Sequence, residues 1–404
     1  MALHPELYCA LQGSIIMSTA LPPLLQAALS KITTPAYVVD MALLKKNMVM
    51  AAHIRKETGC KILLATKSFA LPAVFPVMKD SLDGTTASGL FEARLGKEIF
   101  GKEVHVYAPA YTEDSLRELL KISDHIYFNS HDQIRRFLPR VRAAGADKKV
   151  GIRINPGYSK ATLGGHLYDP CSPGSRFGVV RAELDKLPWD EIDILHAHAL
   201  CEALADGSVG LISHIAEEFG PYIRRVKAVN FGGGHFINKS GYDVQALIKA
   251  VRDFRAAFHV EVILEPGSGL VVDAGFLVAT VLDIVHNETD IAVLDTSASC
   301  HMPDVLEVPY TPPLFGAAEP GVLPYTCILA GNTCMTGDII GEYSFEKPLK
   351  IGDRLVFGDM LQYSFVKNNT FNGTPLPDLA VLHEDGRYEV VRRFGYDDFK
   401  GRLG

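Results

Sequence analysis

Eight times between residues 61 and 266 the chain repeats one pattern. A short apolar or β-branched run is followed by a polar or glycine-bearing turn, then by a stretch with helical periodicity. The runs are KILLATK (61–67), DGTTAS (83–88), VHVYAP (104–109), HIYFN (125–129), VGIRINP (150–156), ILHAHAL (194–200), AVNFGGG (228–234) and EVILEP (261–266). EDSLRELLKI (113–122) and HDQIRRFLPRVRAAG (131–145) are among the helical stretches between them. Eight strand–helix units in about 200 residues predict a (β/α)8 barrel.

In such barrels the active site lies at the C-terminal ends of the strands. Here those ends carry Lys67, Ser88, Asn129, Arg153 with Asn155, His198, Gly232 to Gly234, and Glu265. Each has a plain alternative. Lys67 can mark a strand emerging into water, or an amine whose pKa is lowered by desolvation so that it can form a Schiff base. The glycines of FGGGH (231–235) can make a tight turn, or let backbone N–H groups converge on a phosphate. The G-x-G-x-x-G spacing of dinucleotide sites is absent. Glu265 can pair with a barrel arginine, or hold a heterocyclic nitrogen protonated. HAHALCE (196–202) can suggest zinc, but no second ligand cluster is near it in sequence, so no metal is expected. His198 suits a flat ring stacked on an aromatic cofactor. An inert barrel would not need so many polar groups on one rim. Together a Schiff-base lysine, a phosphate cradle, a carboxylate for a ring nitrogen and a stacking imidazole describe a site for pyridoxal phosphate, an electron sink.

Past residue 272 the texture changes. FLVATVLDIV (276–285), IAVLDTSA (291–298), YTCILAG (325–331), DRLVFGDM (353–360) and YEVVRRF (388–394) read as strands between Gly, Pro and Asn turns. A barrel over 41–272 and a β domain over 273–404 are expected. AYVVD (36–40) is surplus to the barrel and is expected to join the β domain with the rest of residues 1–40. Residues 1–30 read either as a leading helix or as an over-extended start before Met17. The 404 residues carry a net charge of −7 and no basic tract, so nucleic acid is not an expected partner, while a cationic substrate is compatible. Seven cysteines without a CxxC pair fit a reducing compartment. No secretory signal and no run near the ~20 apolar residues of a membrane span is found, so a cytoplasmic protein is expected.

From about residue 33 on, the chain resembles the ornithine/diaminopimelate decarboxylase group of fold-type III pyridoxal-phosphate enzymes. The motifs that carry the likeness come in chain order: ATKSFA, HAHALCE, FGGGH, EPG, GNTCMTGD (331–338) and LQYSFVKNNTFNG (361–373). The resemblance implies an alanine-racemase-like barrel followed by a β domain, and a homodimer with shared active sites. It makes Lys67 the Schiff-base lysine, His198 the stacking ring, Gly232, Gly233 and Gly234 the phosphate glycines and Glu265 the partner of the pyridine nitrogen. Arg153 and Tyr363 become cofactor contacts, and Cys334 reaches into the partner subunit's site as proton donor. Three departures matter. Ser268 stands where the family has arginine, Cys201 replaces a serine, and Met335 replaces the acidic residue after the cysteine in diaminopimelate decarboxylases.

CHMPDVLEVPY (300–310), LCE after His198 and AGNTCMTGDIIGEYSF (330–345) look like the carboxynorspermidine (carboxyspermidine) decarboxylase branch. That likeness implies loss of CO2 from a carboxylated triamine in polyamine biosynthesis. With Glu265, the residues His301, Asp304 and Asp338 are the candidates for holding the polycationic substrate. Diaminopimelate, ornithine or arginine decarboxylation, or a catalytically inactive regulatory relative, are the alternatives.

Overall fold

The computed structural model describes residues 20–145, 147–160, 169–308 and 310–404. The described residues between 45 and 272 form one compact unit; those between 20 and 44 and between 273 and 404 form the other. The question about residues 1–30 lies mostly outside the described residues; from residue 20 on, the described part includes a short helix, Pro23–Ala28.

Strand β1 (Ala36–Asp40) comes first in the chain. It lies between two strands drawn from after the barrel: β11 (Gly275–Asn287), antiparallel, and β17 (Asp378–Leu382), parallel. All five β1 residues are buried, as a central apolar strand requires.

The barrel unit uses β2 (Lys61–Ala65), β3 (Gly84–Ala87), β4 (Glu103–Tyr107), β5 (His125–Phe128), β6 (Lys149–Asn155), β8 (Ile194–His196), β9 (Ala228–Asn230) and β10 (Glu261–Leu264). Every neighbouring pair is parallel, and β10 pairs with β2 to close the ring. A two-residue strand, β7 (Val179–Val180), extends the end of β6. Each of the eight predicted runs contains or overlaps one barrel strand.

The outer helices follow their own signals. Thr112 caps Glu113–Ile122 through a reciprocal bond with Ser115, and Leu116, Leu119 and Leu120 face inward at helical spacing. Asp243 caps Val244–Phe258, which buries Leu247, Ile248, Val251 and Phe254. Inside, Leu63, Tyr127, Ile194, Ala228 and Ile263 pack as a buried cluster, so this is a filled core and not a pore.

The second unit adds β12 (Thr289–Leu294), β13 (Ala317–Ala318), β14 (Tyr325–Ala330), β15 (Ile339–Phe345), β16 (Arg354–Gly358) and β18 (Tyr388–Arg392). Its sheet runs β13-β15-β14-β12-β11-β1-β17-β18, with β16 on β11. Strand β11 changes register between Val281 and Asp283, so one long strand serves two sets of partners. The expected strand over 291–298 stops at Leu294. There Ser297 accepts from the Cys300 N–H at 3.0 Å and caps a short helix, Ala298–His301. No described helix is long and apolar enough to cross a membrane.

Candidate active site

Side chains alternate along a strand, so every second residue of a barrel strand points inward. Following that period, Lys67, Arg153, His196 with His198, Asn230 with Gly232, and Glu265 share the inner face near the strand ends. Strands β2 and β10 are neighbours, which sets the Lys67 turn beside the Glu265 turn. The Ala65 N–H donates to the Pro266 carbonyl at 3.2 Å and stitches the two together.

Lys67 lies in a turn just past β2. Burial, then the nearby Arg153 guanidinium, lowers its pKa from the ordinary lysine value, despite the opposing Glu265 charge. That favours a neutral, nucleophilic amine. That direction favours the desolvated reading of Lys67, although the side chain is half-buried and not sealed from water.

Glu265 is buried at 5% exposure. Its Oε1 accepts from Asn230 Nδ2 at 2.7 Å, and Oε2 lies 3.5 Å from His196 Nε2. Burial alone would raise its pKa. The His196 ring and the Asn230 amide outweigh that and bring it to about 2. Burial meanwhile pushes His196 below its usual value, which favours a neutral ring beside the carboxylate. The ionised carboxylate stands on the Asn230 bond, which needs no charge on His196.

His198 has its pKa pushed well down, by burial first and then by Lys67 and Arg153. The Gly233 N–H donates to its Nδ1 at 2.8 Å, which fixes the ring's orientation and leaves Nδ1 without a proton. The glycine run fits closely against this ring. Gly232 has φ +66°, and a Cβ on it would lie 2.6 Å from His198 Cβ; Gly234 has φ +88° and would collide with the Leu200 backbone. Arg153 donates to the His198 carbonyl at 3.0 Å, with its guanidinium 4.7 Å from the Tyr107 ring centroid and 4.4 Å from that of Phe177.

Among the described residues, Arg153 Nε and both ring nitrogens of His196 are buried without a hydrogen bond, although His196 Nε2 faces Glu265 Oε2 at 3.5 Å. Buried polar atoms without partners are rare in native folds and mark a place for a polar ligand. With a buried carboxylate, a lysine of lowered pKa, a flat imidazole and glycine backbone, the donor set fits pyridoxal phosphate. Ser268, which replaces the family's arginine, is buried with its hydroxyl 3.5 Å from that of Ser68; Cys201 is exposed.

The remaining candidates belong to the other unit. Cys334 is exposed, and its N–H donates to Asn372 Oδ1 at 2.7 Å. Asp338 is buried at 2% exposure, with Ser297 Oγ, Thr333 Oγ1 and the Ser299 N–H all donating to it. His301 is buried, with Thr296 Oγ1 at 3.0 Å from Nδ1 and the Pro375 carbonyl at 3.0 Å from Nε2. Asp304 is paired with Lys367. These three acids and rings have partners within their own unit, which suits shaping the Cys334 loop and its surroundings. Tyr363 is half-buried, with φ +55°, a conformation uncommon for a side-chain-bearing residue.

Reading strand ends alone missed His196 and Asn230. Both sit two residues before a polar strand end, so the period of two was the signal that could have found them.

A family model described as "Pyridoxal-dependent decarboxylase, C-terminal sheet domain" matches residues 36–360. The carboxynorspermidine/carboxyspermidine decarboxylase of Campylobacter jejuni is 40% identical over 383 residues, covering 92% of this chain and 99% of that one. The carboxyaminopropylagmatine decarboxylase of a Synechocystis species is 40% identical over 379 residues, covering 93% and 97%. Among solved structures, carboxynorspermidine decarboxylase from Campylobacter jejuni complexed with norspermidine superposes with a TM-score of 0.85 at 39% identity, over 92% of this chain and 100% of that one. Diaminopimelate decarboxylase from Helicobacter pylori shares the fold, with a TM-score of 0.80 at 16% identity over 94% and 98%. A closed parallel barrel with this rim, followed by this mixed sheet and matched over most of its length, belongs to the pyridoxal-dependent decarboxylase family.

Proposed function

We propose that the protein decarboxylates carboxynorspermidine, carboxyspermidine or both, releasing the triamine, and that it does so as a homodimer in the cytoplasm. The observation that carries this is the 40% identity to the Campylobacter jejuni carboxynorspermidine/carboxyspermidine decarboxylase over 99% of that enzyme's length.

Bound pyridoxal phosphate supplies an electron sink for the pair left on the substrate's α-carbon when CO2 departs. Lys67, its pKa lowered by burial, would supply the amine that tethers the cofactor. Glu265, held ionised, would keep a proton on the cofactor's ring nitrogen. His198 offers the flat face of a ring whose orientation Gly233 fixes. Within the glycine turn the Gly232 and Gly233 N–H groups are taken by Asn230 and His198, so the Gly234 N–H is the one that would meet the anionic end of the cofactor. Arg153, clamped between two aromatic rings, retains an unpaired Nε to offer a polar atom of the ligand. Cys334, in this reading, comes from the second copy and returns a proton to the α-carbon. Tyr363 adds a phosphate contact.

A second reading has equal identity behind it: carboxyaminopropylagmatine, with a guanidinium in place of the terminal ammonium. The deciding experiment incubates the purified, cofactor-loaded protein separately with these three substrates and with diaminopimelate, ornithine and arginine, and follows product mass. Loss of CO2 with the highest kcat/KM on a carboxylated triamine upholds the proposal. A preference for the guanidinium substrate moves the chain to the second reading. Turnover only of diaminopimelate, ornithine or arginine overturns both. The two triamine substrates differ by one methylene, a difference worth only about 10–200-fold in an apolar pocket.

A further inference from the structure

A line of hydrogen bonds runs through the filled interior of the barrel, from its base to Glu265. At the base, Lys61 Nζ donates to both oxygens of Glu103, at 2.8 and 3.1 Å. Glu103 Oε2 lies 3.1 Å from His105 Nε2, His105 Nδ1 lies 3.1 Å from Tyr127 Oη, and Tyr127 Oη lies 3.0 Å from Asn230 Nδ2. Asn230 Nδ2 also donates to Glu265 Oε1 at 2.7 Å, while Asn230 Oδ1 accepts from the Gly232 N–H at 2.8 Å. His105, Tyr127 and Asn230 are each 0% exposed.

The two carboxylates fix the direction of every bond. Asn230 donates to Glu265 and to Tyr127, so the Tyr127 proton must go to His105 Nδ1. His105 therefore carries its own proton on Nε2 and donates it to Glu103. No donor faces a donor and no acceptor faces an acceptor. The sequence makes room for this line: a Cβ at Gly151, on the adjacent strand β6, would overlap the Tyr127 ring.

The same base cluster of Glu103, His105 and His125 has metal-ligand composition. However, the two imidazoles stack with centroids 3.7 Å apart and planes 24° from parallel. Ring-nitrogen lone pairs lie in the ring plane, so stacked rings do not converge on one ion about 2 Å from each. The cluster serves the line and not a metal.

We propose that His105, Tyr127 and Asn230 are positioning residues that aim Glu265 at the cofactor's ring nitrogen and, through Asn230, lock the Gly232 turn in step with it. This rests on the assignment of Glu265 to the ring nitrogen made above. The groups facing Glu265 are Asn230 and His196, with Lys67, Arg153 and His235 around the rim and Tyr127, His105 and His125 farther down. Tyr127→Phe removes one oxygen atom, leaving an Asn230 N–H and the His105 Nδ1 lone pair without partners in the core. His105→Leu cuts the line one step lower. His105→Gln can restore it, because an amide accepts from Tyr127 and donates to Glu103 in the same order.

The test titrates apo-protein with pyridoxal phosphate for each variant and records the pH dependence of the bound cofactor's absorbance band. Tyr127→Phe and His105→Leu are expected to weaken cofactor binding about tenfold and to move the acid limb of the band to higher pH, with recovery in His105→Gln. Tyr111→Phe is the control. Tyr111 is also buried, but its hydroxyl donates to the Tyr127 carbonyl at 2.8 Å, outside the line, and neither readout should move. The His105 pair carries the test if Tyr127→Phe does not fold. The proposal is overturned on its own if Glu265→Gln shifts both readouts while the line variants shift neither, or if Tyr111→Phe shifts them equally. If Glu265→Gln shifts nothing, the ring-nitrogen assignment falls and the proposal falls with it.

Discussion

Strand β2 is bracketed by two lysines six residues apart, Lys61 at its base and Lys67 beyond its end, and the barrel treats them in opposite ways. Burial opposes the charge on Lys61, but the Glu103 carboxylate outweighs it and the pKa is raised. Burial also opposes the charge on Lys67, and the next largest influence is the Arg153 cation, so the pKa is lowered. One lysine is given an anion and becomes part of the scaffold. The other is placed beside a cation and is left reactive. The same residue type serves stability at one end of a strand and chemistry at the other, because its neighbours differ in sign.

The contrast breaks most sharply at Lys67. Lys67→Met should cut turnover by roughly a thousandfold or more and abolish the absorbance band of the bound cofactor. Near wild-type multiple turnover would sink the assignment. Next, Glu265→Gln should lower kcat by about a hundredfold, as loss of a preorganised charge does, with KM changed far less; steady-state kinetics on the preferred substrate checks it.

A third test concerns acid. Burial, then the stacked His105, lowers the His125 pKa to about 2, whereas an unfolded histidine titrates near 6.5. The unfolded chain therefore binds a proton that the fold refuses. Stability is complete above about pH 6.5 and falls below it by about 1.4 kcal/mol per pH unit from this site. His125→Phe should lessen the drop in Tm between pH 6.5 and 5; an unchanged slope would place the acid sensitivity elsewhere.

The smallest effects have opposite signs. In the apo-protein at pH 7, Lys67→Met should stabilise the fold by roughly 0.5–2 kcal/mol, because it removes a desolvated amine. Lys61→Met should destabilise it by about 0.2–1 kcal/mol, the range for a partly exposed pair. The pH slopes differ too. The folded pKa of Lys67 lies below the unfolded value of about 10.4, so its cost shrinks as pH rises toward that value. The folded pKa of Lys61 lies above the unfolded value, so its contribution is complete below about 10.4 and lost above it. Denaturant titrations at pH 7 and 10 measure both, and equal signs would erase the comparison.

What could be read without coordinates follows from where each residue sits in its run. Lys67, His198 and Glu265 stand at the ends of apolar stretches, where a polar residue is conspicuous. His105, Tyr127 and Asn230 stand inside such stretches and look like interruptions until the period of two is followed around a closed ring. AYVVD was legible because it is buried throughout. Strand β15 was not, because Gly341 and Glu342 break its pattern and only part of it is buried. Asp338 shows the limit of local reading. Its acceptor capacity is used by Ser297, 41 residues earlier in the chain, and nothing in GNTCMTGD announces that partner.

The position of β1 carries a consequence for synthesis. Ala36 pairs with Val278 on one side and with Asp378 on the other. A ribosome adding roughly 5–20 residues per second therefore releases this apolar strand tens of seconds before its last neighbour exists. Throughout that interval AYVVD is an unpaired edge, the kind of surface that recruits stray strands. The second unit cannot complete its central sheet until almost the whole polypeptide has emerged, so a chain cut short anywhere before β17 keeps its own first strand as a point of aggregation.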